Sequence, residues 1–210
     1  MEKLLEDISK KSFDKQKYVD MIISEEELRD FLVDNMIHHP EIMKYYHCFY
    51  IVEVASSLKP ELFYKYWDDL HKLLFHSNSY HRDFGLIILT NIAKADKENK
   101  FNDIIDDYMG LLNDIKYSTA SYCVRSCAIV ASVKQELLEK IVNRLLNLEN
   151  DNPFPEKQKA LMMSDIIKGL ELVINIYPNR DILLNFVKKH ISSISPKTRK
   201  AAKEFINNYS

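Results

Sequence analysis

Glycine is scarce in this chain, with three in 210 residues beside only six prolines. An all-β fold spends such residues at every strand connection, so this composition argues against one. Cysteine is also scarce. Cys48, Cys123 and Cys127 form no disulfide framework, and a reduced, intracellular setting fits them best. No apolar run approaches the ~20 residues of a membrane-spanning helix. The opening MEKLLEDISKK is acidic and lacks a signal peptide's apolar segment. A formal net charge of −2 implies no bulk attraction to nucleic acid or membrane. The expectation is a cytoplasmic chain with no membrane partner.

Apolar side chains at helical spacing are what the chain has instead. Hydrophobic residues make up 46% of it, enough for a core. The stretch Pro60 to Asp96 organises the rest. Phe63, Tyr66, Trp67, Leu70, Leu73 and Leu74 mark one helix, and Phe84, Gly85, Ile88, Leu89 and Ile92 a second. His76-Ser77-Asn78-Ser79 supplies the turn between them. Neither helix can bury its stripe within the unit, so similar units are needed on both sides. Further helices are expected at 41–58, 100–114, 121–133, 136–149, 156–177, 180–192 and after Pro196. Ser24 and Glu27 form a capping box ahead of Leu28. The sequence Asp151-Asn152-Pro153-Phe154-Pro155 is read as a loop between helices.

A repeat emerges in the second helix of each pair. A small residue follows Arg by three at Arg82/Gly85, Arg125/Ala128 and Arg199/Ala202, and Gly169 holds the small position in a fourth pair. Glycine inside a helix costs ~1 kcal/mol against alanine, and close approach of a neighbouring helix would explain it. Val124-Arg125-Ser126-Cys127-Ala128 matches the V-R-x-x-A pattern of HEAT repeats. His81-Arg82-Asp83-Phe84-Gly85 and Thr198-Arg199-Lys200-Ala201-Ala202 match it partly. The resemblance covers about residues 25–209. It implies an all-α, right-handed α-solenoid of about five helix pairs, a single domain over 1–210 with residues 1–24 as an N-terminal helical cap. It also implies a concave face, built from the second helices, that binds another macromolecule.

With Gly85 inward, the opposite side of its helix is Asp83, Ile87, Thr90 and Lys94; the equivalents on the next second helix are Ser126, Val130 and Val133. The first four, with Ser126 and Val130, are the candidate contacts for a protein or peptide. A competing reading makes Ile87 and Val130 contacts between adjacent repeats. No phosphate loop, no H-E-x-x-H and no C-x-x-C is present, so no catalytic set, cofactor or metal site is assigned. His71, His76 and His81 recur every five residues, a step that scatters them around a helix, though a break near Asn78 could join His76 to His81. Cys123 and Cys127 read as buried small hydrophobes, and Trp67 as core.

A second function class stays open. The chain resembles, in outline, bacterial alkylpurine DNA glycosylases built from HEAT-like repeats. Asn78–Asp83 and Ser121–Arg125 carry that likeness, while the family's concave tryptophans are missing. On this reading Arg82, Tyr122, Arg125, Lys197, Arg199 and Lys200 would meet nucleic acid. Charge divides the chain: residues 1–150 hold 19 Lys+Arg against 25 Asp+Glu, which disfavours a phosphate backbone, and residues 151–210 hold 10 against 6. The basic tail also reads as the polar cap of a terminal repeat.

Overall fold

The structure, a computed structural model, describes residues 2–10 and 12–210. The described residues form thirteen α-helices and five short 3₁₀ segments, with no strand. They fall into two units, one ending at Glu98 and one beginning at Asn99. Asn99 sits in the left-handed region at φ 58°, which asparagine tolerates better than most residues.

The first unit holds α1 (Glu2–Ile8), α2 (Lys15–Ser24), α3 (Glu26–His38), α4 (Ile42–Leu58), α5 (Trp67–Leu73) and α6 (Ser79–Ile92). α4 packs on α2, α3 and α6, and α5 packs on α6. Phe49 stacks on Phe84 at 4.1 Å and 11°, locking α4 to α6. Phe63, Trp67, Leu70, Phe84 and Ile88 are buried around them. Each such side chain contributes ~1.5–3 kcal/mol by leaving water.

The second unit holds α7 (Lys100–Gly110), α8 (Tyr117–Val133), α9 (Leu138–Leu146), α10 (Leu148–Asp151), α11 (Glu156–Leu170), α12 (Arg180–Lys189) and α13 (Pro196–Tyr209). α11 packs on both α8 and α13. The Thr198 hydroxyl donates to the Ala160 carbonyl across α13 and α11. Asn152 orders the break before α11: its Nδ2 donates to the Leu112 carbonyl at 3.2 Å and its Oδ1 accepts from Phe154 N at 3.0 Å.

Several sequence expectations change in detail. Residues 60–66 form two 3₁₀ turns, so the first helix of the central pair begins only at Trp67. The helix expected from 121 starts earlier, at Tyr117, and the one expected to reach 177 ends at Leu170. The Ser24–Glu27 capping box does not form. Ser24 is the last residue of α2 and its hydroxyl donates to the Asp20 and Met21 carbonyls. Glu25 alone separates α2 from α3, leaving no room for a capping serine.

The Arg-small motif divides as well. Arg82 and Arg199 are each the fourth residue of their helices. Each donates to carbonyls six and five residues upstream: Arg82 to His76 (2.7 Å) and Ser77 (3.1 Å), Arg199 to Ser193 (2.7 Å) and Ile194 (3.2 Å). Arg125 is the ninth residue of α8 and has different partners. The counterpart of Gly85 in α8 is Cys123, not Ala128. Gly85 lies against the Leu70 carbonyl, and the Cys123 thiol donates to the Tyr108 carbonyl at 3.3 Å, fifteen residues upstream in both cases.

Gly85 and Gly169 both mark close approaches, against different neighbours. A Cβ on Gly85 would lie 2.7 Å from the Leu70 carbonyl oxygen and 2.8 Å from the Leu73 Cβ. A Cβ on Gly169 would lie 2.5 Å from the Ala128 Cβ. A Cβ on Gly110 would meet nothing within 4 Å. The three glycines therefore separate propensity from packing. Gly110→Ala should stabilise by up to ~1 kcal/mol. Gly85→Leu and Gly169→Leu should each destabilise by more than ~2 kcal/mol, because backbone on α5 and Ala128 on α8 cannot step aside. Leu in place of the exposed Lys94 should change little. Urea melts measure all four, and a Gly85 or Gly169 variant as stable as wild type removes that close approach.

Candidate functional site

The face expected to bind a partner is largely turned inward. In the first unit Asp83 and Thr90 are buried, Ile87 is half-buried, and the exposed Lys94 donates to the Ser57 carbonyl at 3.2 Å. The Thr90 hydroxyl donates to the Leu86 carbonyl of its own helix at 2.7 Å. In the second unit Ser126 is buried and Val130 is fully buried. Asp83, Thr90, Ser126 and Val130 are therefore packed side chains, while Ile87 is partly open and Lys94 is exposed.

Of the positions expected to face outward on α8, Val133 is exposed, while the rest of the outward stripe lies one residue before Ser126 and Val130. Tyr122, Arg125, Ile129 and Val133 follow helical spacing, and the three uncharged members are 39–43% exposed. One residue turns a helix by ~100°, enough to exchange a buried face for an open one. A comparable stripe lies on α4 and α6, where Met43, Tyr50 and Tyr80 are 50, 37 and 45% exposed.

Three of the six candidate nucleic-acid contacts converge. Arg125 donates to Asp165 Oδ2 at 3.0 Å and to the Ser121 hydroxyl at 2.8 Å. Lys197 donates to Asp165 Oδ1 at 3.0 Å, and Ser121 donates to Asp165 Oδ2 at 2.9 Å. The Arg125 guanidinium lies 4.7 Å from the Tyr122 ring centroid. The Asp165 side chain is 7% exposed, while Arg125 and Lys197 are about half-exposed. A buried carboxylate on α11 thus holds cations from α8 and α13 whose outer surfaces remain in water. Lys200 is exposed and lies 3.8 Å from Glu204. Arg82 and Arg199 are committed to backbone carbonyls in the turns before their helices. Sequence reading missed Asp165. Its one signal is a lone acid inside the apolar run Leu161 to Ile167.

The thiols are buried. Burial pushes Cys48 up to about 12, and burial together with its neighbour Cys127, 3.9 Å away, raises Cys123 well above the usual thiol value. A reactive thiol needs the reverse surroundings.

His76 and His81 do meet. Their rings stack at 4.3 Å and 24°. His81 is buried beside Tyr45 and Phe84, and its Nδ1 has no hydrogen-bond partner. Among the described residues no group of three or more His, Cys, Asp or Glu is placed to hold a metal. No helix among them is long and apolar enough to cross a membrane.

No protein-family model matches the chain, and no curated protein does. Two crystal structures, each of an engineered protein, share its fold. One superposes with a TM-score of 0.51 at 16% identity, covering 99% of this chain and 95% of that one. The other gives 0.52 at 15% identity, covering 100% and 98%. At that identity the likeness establishes an all-helical fold and carries no function.

Burial and then the neighbouring His76 lower His81 to about 4, against a partial rise from its hydrogen bond to Ile37; His38 also disfavours the charged form. An unfolded histidine titrates near 6.5. His81 therefore contributes stability above pH ~6.5 that is lost as pH falls toward ~4, on the order of 3 kcal/mol in full. Trp67, the single tryptophan, is buried in the same unit and reports its unfolding. Urea melts followed by Trp67 emission should show a steeper loss between pH 6.5 and 4.5 for wild type than for His81→Phe. Parallel curves would show that His81 is charged in the folded state.

Proposed function

We propose that the chain is a non-enzymatic binding protein, a right-handed α-solenoid of about five HEAT-like helix pairs that engages a protein or peptide through the outward faces of its second helices. The observation that carries this reading is the α8 stripe. Tyr122, Ile129 and Val133 stand in water at helical spacing around Arg125, while Cys123, Val124, Cys127, Ala128 and Val130 are buried behind them. A row of large apolar groups gains free energy when a partner covers it. Tyr and Arg are also the residue types that dominate binding energy at interfaces. A photo-crosslinking residue at Ile129 should capture protein from a native lysate, and the same residue at the exposed Asn102 on α7 should not. Tyr122→Ala in the Ile129 crosslinking variant should cut the yield severalfold. Equal capture from both positions would end the assignment of this face.

A second reading, DNA binding or base excision of the HEAT-like alkylpurine glycosylase type, is favoured by the convergence of Tyr122, Arg125 and Lys197 on Asp165. It requires duplex affinity that falls steeply with salt. Arg125→Ala and Lys197→Ala should each weaken it. Asp165→Asn, which removes the charge holding both cations, should strengthen it. A chain that binds no duplex at low salt excludes this reading.

A further inference from the structure

The α4–α6 face differs in chemistry from the α8 stripe. Tyr46 sits between two exposed tyrosines, its ring centroid 4.9 Å from that of Tyr50 and 5.3 Å from that of Tyr80, edge-on to both. Beside Tyr50, one turn further along α4, is Glu53. Its carboxyl is half-buried; desolvation raises its pKa and the nearby Lys15 ammonium counters the rise. Glu53's own carbonyl accepts from Asn91 Nδ2 at 3.0 Å, which fixes this stretch of α4 against α6.

Lys15, on α2, shows what the face accepts. Its ammonium lies 5.9 Å from the Tyr50 ring centroid and within electrostatic reach of Glu53. A tyrosine face and a partly desolvated carboxylate both favour a cation over water. The charge of the unit as a whole agrees: residues 1–98 carry 13 Lys+Arg against 18 Asp+Glu. A nucleic acid would meet this excess of acid with repulsion, and an acidic peptide likewise.

We infer that the α4–α6 face docks a basic peptide segment, with one Lys or Arg head group on Tyr50 beside Glu53 and another on Tyr80. This rests on the binding-protein reading above and names its partner class. Lys15 then acts as an internal competitor for the Tyr50 ring.

Fluorescence anisotropy with labelled oligo-arginine, oligo-glutamate and oligo-dT tests the inference on the full chain. Oligo-arginine should bind and the other two should not. Tyr50→Ala and Tyr80→Ala should each weaken it about two- to fivefold, as loss of an exposed cation–π contact does. Tyr50→Phe, which keeps the ring, should bind as wild type does. Glu53→Gln should weaken binding, and Lys15→Ala should tighten it. The control is Glu61→Gln/Asp68→Asn, which removes two exposed acids away from the face. If that control weakens binding as much as Tyr50→Ala, the attraction is bulk charge and the inference fails. Tighter binding of oligo-glutamate or oligo-dT also overturns it. The crosslink at Ile129 is read separately, so a positive crosslink with unchanged Tyr50 and Tyr80 variants ends this inference alone.

Discussion

Before a chain can double back from one helix to the next, the carbonyls at and just beyond the end of the first must find donors. Here a guanidinium from the second helix supplies them. Arg82 reaches back to His76 and Ser77, and Arg199 to Ser193 and Ile194. Arg29 does the same for Ile22 at 2.7 Å across the one-residue break between α2 and α3. Charged donors bond carbonyls more strongly than neutral ones, so a short turn can be sealed without water. Sealing lets the chain double back within a few residues. That in turn brings α6 close enough to α5 for Gly85 to lie against the Leu70 carbonyl. Closing the turn and omitting the side chain are two halves of one packing solution.

The same demand decides which arginines are open to function. A guanidinium that closes a turn is anchored to the backbone through Nη1. Arg125 has no such duty, because the turn before α8 is ordered by Asp114, whose carboxylate accepts from Lys116 N at 2.7 Å. Arg125 sits five residues further along than Arg82 does in its helix, and turns outward to Asp165 and the Tyr122 ring. A buried carboxylate is costly without partners, and Asp165 has three. α8, α11 and α13 are therefore tied together by charge as well as by apolar contact.

The sequence made the helices legible because apolar spacing of 3.6 residues is a local signal. The two close-approach glycines were legible for a similar reason: a glycine inside a strong helical pattern needs an explanation, and the nearby backbone is that explanation. Register was harder. Arg125 followed by Ala128 imitates Arg82 followed by Gly85, and nothing local says that α8 begins at Tyr117. Starting the helix four residues late moved the motif onto the wrong turn. It placed Ser126 and Val130 on the open side when Arg125 and Ile129 hold it. Asp165 escaped notice because its partners lie 40, 44 and 32 residues away, at Arg125, Ser121 and Lys197. No periodicity within α11 reveals a neighbour supplied by another helix.

Each unit pairs an exposed tyrosine with a cation, and the two pairs differ in how firmly the cation is held. The Arg125 guanidinium lies over Tyr122 but is also hydrogen-bonded to Ser121 and to a carboxylate that is itself buried. Displacing it would leave the buried Asp165 with Lys197 as its remaining cation, an unfavourable exchange for a desolvated carboxylate. The Tyr122 ring is thereby kept in place, and what it offers a partner is its edge and the apolar surface of Ile129 and Val133. The Lys15 ammonium has a looser hold on Tyr50, at 5.9 Å on an exposed, flexible stem. An exposed cation–π contact is worth ~0.5–1 kcal/mol, which an incoming cation can replace. Two aromatic faces built on the same helical scaffold thus differ in kind. One is fixed by a buried charge and offers apolar surface; the other is held by a replaceable contact and offers a place for positive charge.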